Sequence, residues 1–145
     1  MTNEEVADRL AIRELCDRYH AMVNTRDWSL IADLFAPDAV WTVLPPIDLR
    51  FVGLEAITSG IIASVERQAL LVQTSSGLVI NLGDGRAALR STLMEVGREP
   101  NMAGWFAVAL FEDEVVRVDG AWRFAARTVR LQHSGGLPLA DAPPA

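Results

Sequence analysis

The chain has 145 residues, 50% of them hydrophobic, and a net charge of −6. That suffices for one domain with a sizeable core but not for two, and it excludes the massed cations that nucleic acid or an anionic membrane surface requires. A lone cysteine, Cys16, excludes an internal disulfide, and no Cys/His spacing suits a zinc site.

The first residues, MTNEEVADRL, carry acids where a secretory signal has a basic region and an apolar run. No apolar run reaches membrane-spanning length, so the expectation is a soluble, cytoplasmic protein. Thr2 to Glu5 reads as a capped helix start with acids in the first turn. Leu10, Ile12, Leu15, Cys16, Tyr19, Met22 and Val23 recur at mostly three- and four-residue steps, which predicts an amphipathic helix over 3–23. Asp27 caps a second helix carrying Trp28, Ile31, Leu34 and Phe35 and ending at Ala36-Pro37. Residues 38–44 read as a strand stopped by Pro45-Pro46, Phe51 to Gly53 as a short extended piece, and Leu54 to Arg67 as a third helix buried through Ile57, Ile61, Ile62 and Val65.

Long strands then follow over 70–82, 86–97 and 103–118, the first two joined at Gly83-Asp84-Gly85. The third is long enough to predict a bulge or a strong twist within it. From Phe111 to Arg130 the chain forms a hairpin around Asp119-Gly120, since a tight reversal needs positive φ. Residues 1–134 form the domain, and the Gly/Pro/Ala-rich residues 135–145 form a flexible tail. Helices followed by a strongly bent antiparallel sheet predict an α+β fold with the helices on the concave face.

The segment Ile12 to Trp41, with Phe51-Val52-Gly53 and the hairpin Phe111 to Arg130, resembles the SnoaL-like branch of the nuclear transport factor two superfamily over residues 4–133. The resemblance implies a cone of curved antiparallel sheet, an α+β barrel closed by three helices around a deep apolar pocket. Members include dehydratases, dehydrochlorinases, isomerases, polyketide cyclases, epoxide hydrolases and non-catalytic binders, so the fold alone does not fix a function. In dehydratase-type members an Asp at the end of the first helix pairs with a His base on the first long strand. Here the matching positions are Asn24 and Thr74, and neither replacement can hold or take the proton. In the epoxide-hydrolase pattern Arg90 matches the Arg, but Thr92 stands where an Asp is wanted.

Tyr19, on the apolar stripe, resembles the catalytic Tyr of bile-acid-type dehydratases, against the alternative of a core tyrosine bonded at the pocket edge. Glu95 alternates in phase with Leu89, Ser91 and Leu93. If that register faces inward it is a carboxyl raised in pKa by desolvation; if outward, it is solvated surface. His20 is about 100° around the helix from Tyr19, so the two cannot both point squarely into one pocket. His133 follows the last strand, where a tail folded over a pocket mouth would carry it to the ligand. Arg130 shares parity with Phe124, Ala126 and Thr128 and either binds a substrate oxygen or pairs with an acid, while Arg123 and Arg127, on the opposite parity, read as solvated-face or interface residues. Trp41, Trp105, Phe106, Phe111 and Met94 read as core and pocket wall for an apolar ligand.

Two functions follow. One is a cofactor-independent dehydratase, isomerase or cyclase acting on a small apolar, oxygenated polyketide-, terpenoid- or steroid-like molecule. It would use Tyr19, Asn24 and Glu95 or His20, with Thr74 and Arg130 beside the aromatic wall. The other is a non-catalytic binding or assembly module. The outer sheet face around Val108 and Leu110 predicts a homo-oligomer, a dimer or trimer.

Overall fold

A computed structural model describes residues 1–139. Helix α1 (Asn3–Thr25) begins at a reciprocal cap: the Thr2 hydroxyl accepts from the Glu5 amide and the Glu5 carboxylate accepts from the Thr2 amide. Ile12, Leu15, Cys16, Tyr19, Met22 and Val23 form its buried stripe. Leu10, grouped with them by spacing, is exposed. The helix stops at Arg26, whose φ of 56° is left-handed.

A six-residue 3-10 helix, Trp28–Asp33, replaces the expected second α-helix, and Asp27 makes no side-chain cap bond. Strand β1 (Phe35–Val43) starts at once and takes in Ala36 and Pro37, the residues read as the end of that helix. Pro37 has no amide hydrogen to give a ladder, and the pairing of β1 skips between Phe35 and Val40. Strand β2 (Leu49–Val52) and helix α2 (Leu54–Glu66) follow, with Ile57, Ile61 and Val65 of α2 buried. The remaining strands are β3 (Leu70–Leu82), β4 (Arg86–Arg98), β5 (Gly104–Val118) and β6 (Ala121–Leu137).

The six strands form one curved sheet in the order β2-β1-β6-β5-β4-β3, open at β2 and β3. Every neighbouring pair is antiparallel except β1 and β6, which run parallel. Those two are joined by most of the chain, so no hairpin constrains their direction. Asp119 and Gly120, at φ 50° and 81°, make the predicted two-residue turn between β5 and β6.

The bulges lie on β6 rather than on β5. Strand β5 pairs with β4 without interruption, whereas β6 carries an extra residue at Ala125 and another at Gln132. Each extra residue turns the following side chains over to the other face. Strand β6 also runs beyond Arg130, and residues 135–137 of the supposed tail pair with Gly104–Phe106. The rest of that tail, 140–145, lies outside the described residues.

Candidate functional site

Between the concave face of the sheet and the two α-helices lies a cavity of about 690 Å³. Trp41, Trp105, Phe106, Phe111, Ile61 and Leu93 give it an apolar wall, and it opens beside the exposed Ile47, Leu49 and Arg67. Trp105 reaches it because its strand partner is Gly97: a Cβ at that position would stand 2.3 Å from the indole Cζ2. The indole N–H of Trp105 then donates to Gln68 Oε1 at 3.1 Å, which fixes the ring. The Trp41 ring stacks on Phe51 with centroids 5.6 Å apart.

Among the polar side chains that enter this wall are Glu95, Tyr19 and Gln73. Glu95 does so on the phase of Leu89, Ser91 and Leu93, all three of them buried. Burial pushes its carboxyl above the ordinary value, against a weaker opposing pull from the Gln73 amide. No cation pairs with it among the described residues. Tyr19 lies at the base of the cavity, and its hydroxyl meets no hydrogen-bond partner among the described residues. Burial pushes its pKa up to about 12, and the charge of Glu95 adds to the rise while Arg127 opposes it. The phenol therefore keeps its proton at any physiological pH.

The third is Gln73, the inward-facing residue of β3 at the place where the family resemblance wants a base. Gln73 Nε2 donates to Glu95 Oε2 at 3.2 Å, and Gln73 Oε1 lies 3.0 Å from His20 Nδ1. Because the amide oxygen can only accept, His20 carries its proton on Nδ1, and its Nε2 accepts from the Ser75 hydroxyl at 2.8 Å. Burial drops the His20 pKa to about 4, so the imidazole is neutral. It is buried in the wall behind Gln73 and does not line the cavity.

Asn24 does not reach the cavity either. Its amide donates to the Gln73 carbonyl and accepts from the Gln73 N–H, both at 2.8 Å, closing the free edge of β3 as a neighbouring strand would. Thr74 is one residue off the inward phase: it is exposed and pairs with Met94, itself 53% exposed, on the outer face. Arg130 is also outside, with Nε 3.2 Å from Glu112 Oε1, because the bulge at Ala125 breaks the parity it shares with Phe124. Arg90 is exposed, and His133 is exposed with its ring against Phe106. Of the residues singled out in the sequence, the cavity gathers Tyr19, Trp41, Glu95, Trp105, Phe106 and Phe111.

Arg127, read as a solvated-face or interface residue, is the largest fully buried side chain among the described residues. Its Nε and one terminal nitrogen meet Asp113 at 3.0 and 3.1 Å, and its guanidinium packs 3.7 to 4.2 Å from the rings of Phe111, Phe124 and Tyr19. Burial works against the charges of both groups. It pushes the Asp113 carboxyl up, while for Arg127 burial is the largest single effect but the charge and hydrogen bonds of Asp113, with Tyr19 and Cys16, together outweigh it and hold the guanidinium pKa above its ordinary value. The sequence held one signal for this pair: Asp113 alternates in phase with the buried Phe111 and Val115, and an acid on an apolar face needs a buried partner. Arg123, read in the same way, donates to the Ala32 carbonyl at 2.6 Å.

The family model for the SnoaL-like domain matches residues 4–128. No curated protein matches the chain. Among solved structures, a candidate scytalone dehydratase from Novosphingobium aromaticivorans DSM 12444 is 20% identical with a TM-score of 0.84, over 99% of this chain and 97% of its own. A hexachlorocyclohexane dehydrochlorinase, LinA type 2, is 20% identical with a TM-score of 0.85, over 97% and 96%. A Nostoc punctiforme PCC 73102 protein of unknown function with a cystatin-like fold is 25% identical with a TM-score of 0.72, over 87% and 92%. At these identities the likeness is one of fold. No helix among the described residues is long and apolar enough to cross a membrane.

Proposed function

Because this chain belongs to the SnoaL-like domain family, we propose that it is a cofactor-independent lyase or isomerase acting on a small, apolar, oxygenated ring compound held in the cavity. The observation that carries this reading is a desolvated carboxyl, Glu95, and an unpartnered phenol, Tyr19, on one apolar cavity. A carboxylate raised toward the working pH is a better base than one in water. On a β-hydroxy ketone, Glu95 takes the proton from the carbon beside the carbonyl while Tyr19 donates a hydrogen bond to the oxygen that gains charge. Glu95 then returns that proton to the departing hydroxyl, which leaves as water, and the carboxylate is regenerated. Gln73, held by His20, keeps one Glu95 oxygen fixed so that the other is free for this work.

A simple probe is 3-hydroxy-1-tetralone, whose loss of water gives 1-naphthol, followed by absorbance. Formation above background that is lost in Glu95→Gln supports the reading; equal rates in both proteins overturn it.

A second reading, a non-catalytic binder, draws on the fate of the positions where relatives of the dehydratase type carry their dyad. Asn24 and Gln73 are both spent on bonds within the protein. Ligand binding that survives every polar substitution, without turnover, would favour it.

A further inference from the structure

Charged groups around the cavity are distributed one-sidedly. Among the described residues that line it, the charged ones are Glu95 and Arg67. Arg67 stands at the opening, is 68% exposed, and is tied to Glu99 at 3.1 Å. Gln68 also turns its amide N–H toward Glu99, at 3.5 Å, so the entrance keeps an acid beside Arg67. The buried cation Arg127 sits behind the rings of Tyr19 and Phe111 and is neutralised by Asp113. The aromatic wall offers ring faces, whose quadrupoles are negative. Among the described lining residues, an anion entering this space meets a carboxylate and ring faces, and the cation at the opening, Arg67, is already paired with Glu99.

We infer that the cavity selects its ligand by charge: it takes a neutral molecule that donates a hydroxyl hydrogen bond to Glu95, and it rejects carboxylates and phosphates of the same shape. The inference rests on the reading above only in taking the cavity as the ligand site. Glu95 is an acceptor whose second oxygen has no protein partner among the described residues, so a ligand hydroxyl completes it. Two like charges about 5 Å apart at an effective dielectric near 20 disfavour binding by on the order of a hundredfold. A ligand free to tilt away recovers part of this, which leaves a gap of at least about tenfold.

The test is calorimetric titration of the full chain at pH 8 with two ligands on one tricyclic frame, 9-fluorenol and fluorene-9-carboxylate. Fluorenol should bind at least about tenfold tighter, and Glu95→Gln should narrow the gap to below about threefold by strengthening the carboxylate. Glu95→Met, of similar length, gives the same reading should the Gln variant fail to fold. Equal or tighter binding of the carboxylate by the wild type overturns the inference. So does a gap that persists without the Glu95 charge, or binding of neither ligand. Turnover is not read, so an inert protein with this selectivity keeps the inference and loses only the catalytic reading; an active protein without it does the reverse.

Discussion

Gln73 Nε2 donates to Glu95 Oε2 at 3.2 Å across the β3–β4 pair, directly opposite in register. The bond joins the residue standing where a base would be to the carboxyl that can still act as one. Its other end is held by His20, a neutral imidazole whose own Nε2 is held by Ser75. What looks like a lost dyad is therefore a fixed polar wall with one carboxylate oxygen, on Glu95, left without a protein partner among the described residues.

Burying Glu95 has a cost visible in stability. Its folded pKa is raised above the 4.5 of the free group, so the folded state binds the proton more tightly. This contribution is fully favourable below pH 4.5 and is lost as pH rises through the folded pKa. Glu95→Gln should therefore melt higher than the wild type at pH 8, and the advantage should vanish near pH 4, in paired thermal melts. A variant less stable than wild type at pH 8 counts against a desolvated carboxylate.

His20 works in the opposite direction. Its pKa falls from 6.5 unfolded to about 4 folded, so the stability it contributes is present above pH 6.5 and is lost as pH falls toward 4. The full loss is on the order of 3 kcal/mol. Urea titrations at pH 7 and pH 4.5 should show the wild type losing stability that His20→Gln retains, beyond the opposing Glu95 slope common to both. Equal losses would mean that His20 titrates normally.

For Tyr19, replacement by Phe removes the hydroxyl and keeps the ring beside Arg127. Turnover of the tetralone probe should fall by more than about tenfold while ligand affinity stays near wild type. Because the phenol holds its proton to about pH 12, wild-type activity should show no second ionisation between pH 7 and pH 10. Unchanged turnover in the variant would remove Tyr19 from the chemistry.

The Arg127–Asp113 pair should behave as a unit. Asp113→Ala leaves a guanidinium buried among three rings and should cost about 3 to 5 kcal/mol in urea unfolding. Replacing both, Asp113→Leu with Arg127→Met, should recover most of that loss. If the double variant is as unstable as the single one, cavity formation rather than the unpaired charge sets the cost.

On the outer face, Val72 at 51% and Met94 at 53% exposed stand on neighbouring strands. We propose that this face pairs with further copies of the chain. Light scattering at micromolar concentration should give a dimer or trimer mass, and Met94→Glu should lower it. A monomer mass for the wild type removes the proposal.

Much of this arrangement was legible in the chain. The Asp119-Gly120 turn and the bounds of β3 follow from local chemistry that no tertiary contact overrides. The phase that Glu95 shares with Leu89, Ser91 and Leu93 is readable too, but apolar residues fall on both phases of the strand, so which one faces inward is decided only by the burial of those three. The parity of β6 is not readable, because two single-residue bulges reverse it, and a bulge at Ala125 is set by how β6 meets β5 rather than by anything in its own side chains. That reversal hid Arg127 and sent Arg130 outward. The one-residue error at Thr74 has a similar origin, since Thr, Ser and Gln at 73–76 give no apolar alternation to count. The 3-10 helix escaped notice because Trp28, Ile31 and Leu34 suit either helical period.

The account stands or falls most directly on the state of Glu95. With glutamate carboxyls labelled in 13C, the Glu95 resonance, assigned by its loss in Glu95→Gln, can be titrated by NMR with and without 9-fluorenol. The account predicts a pKa above 4.5 in the free protein and a further change when the ligand is added. A resonance that titrates at 4.5 and ignores the ligand would contradict it.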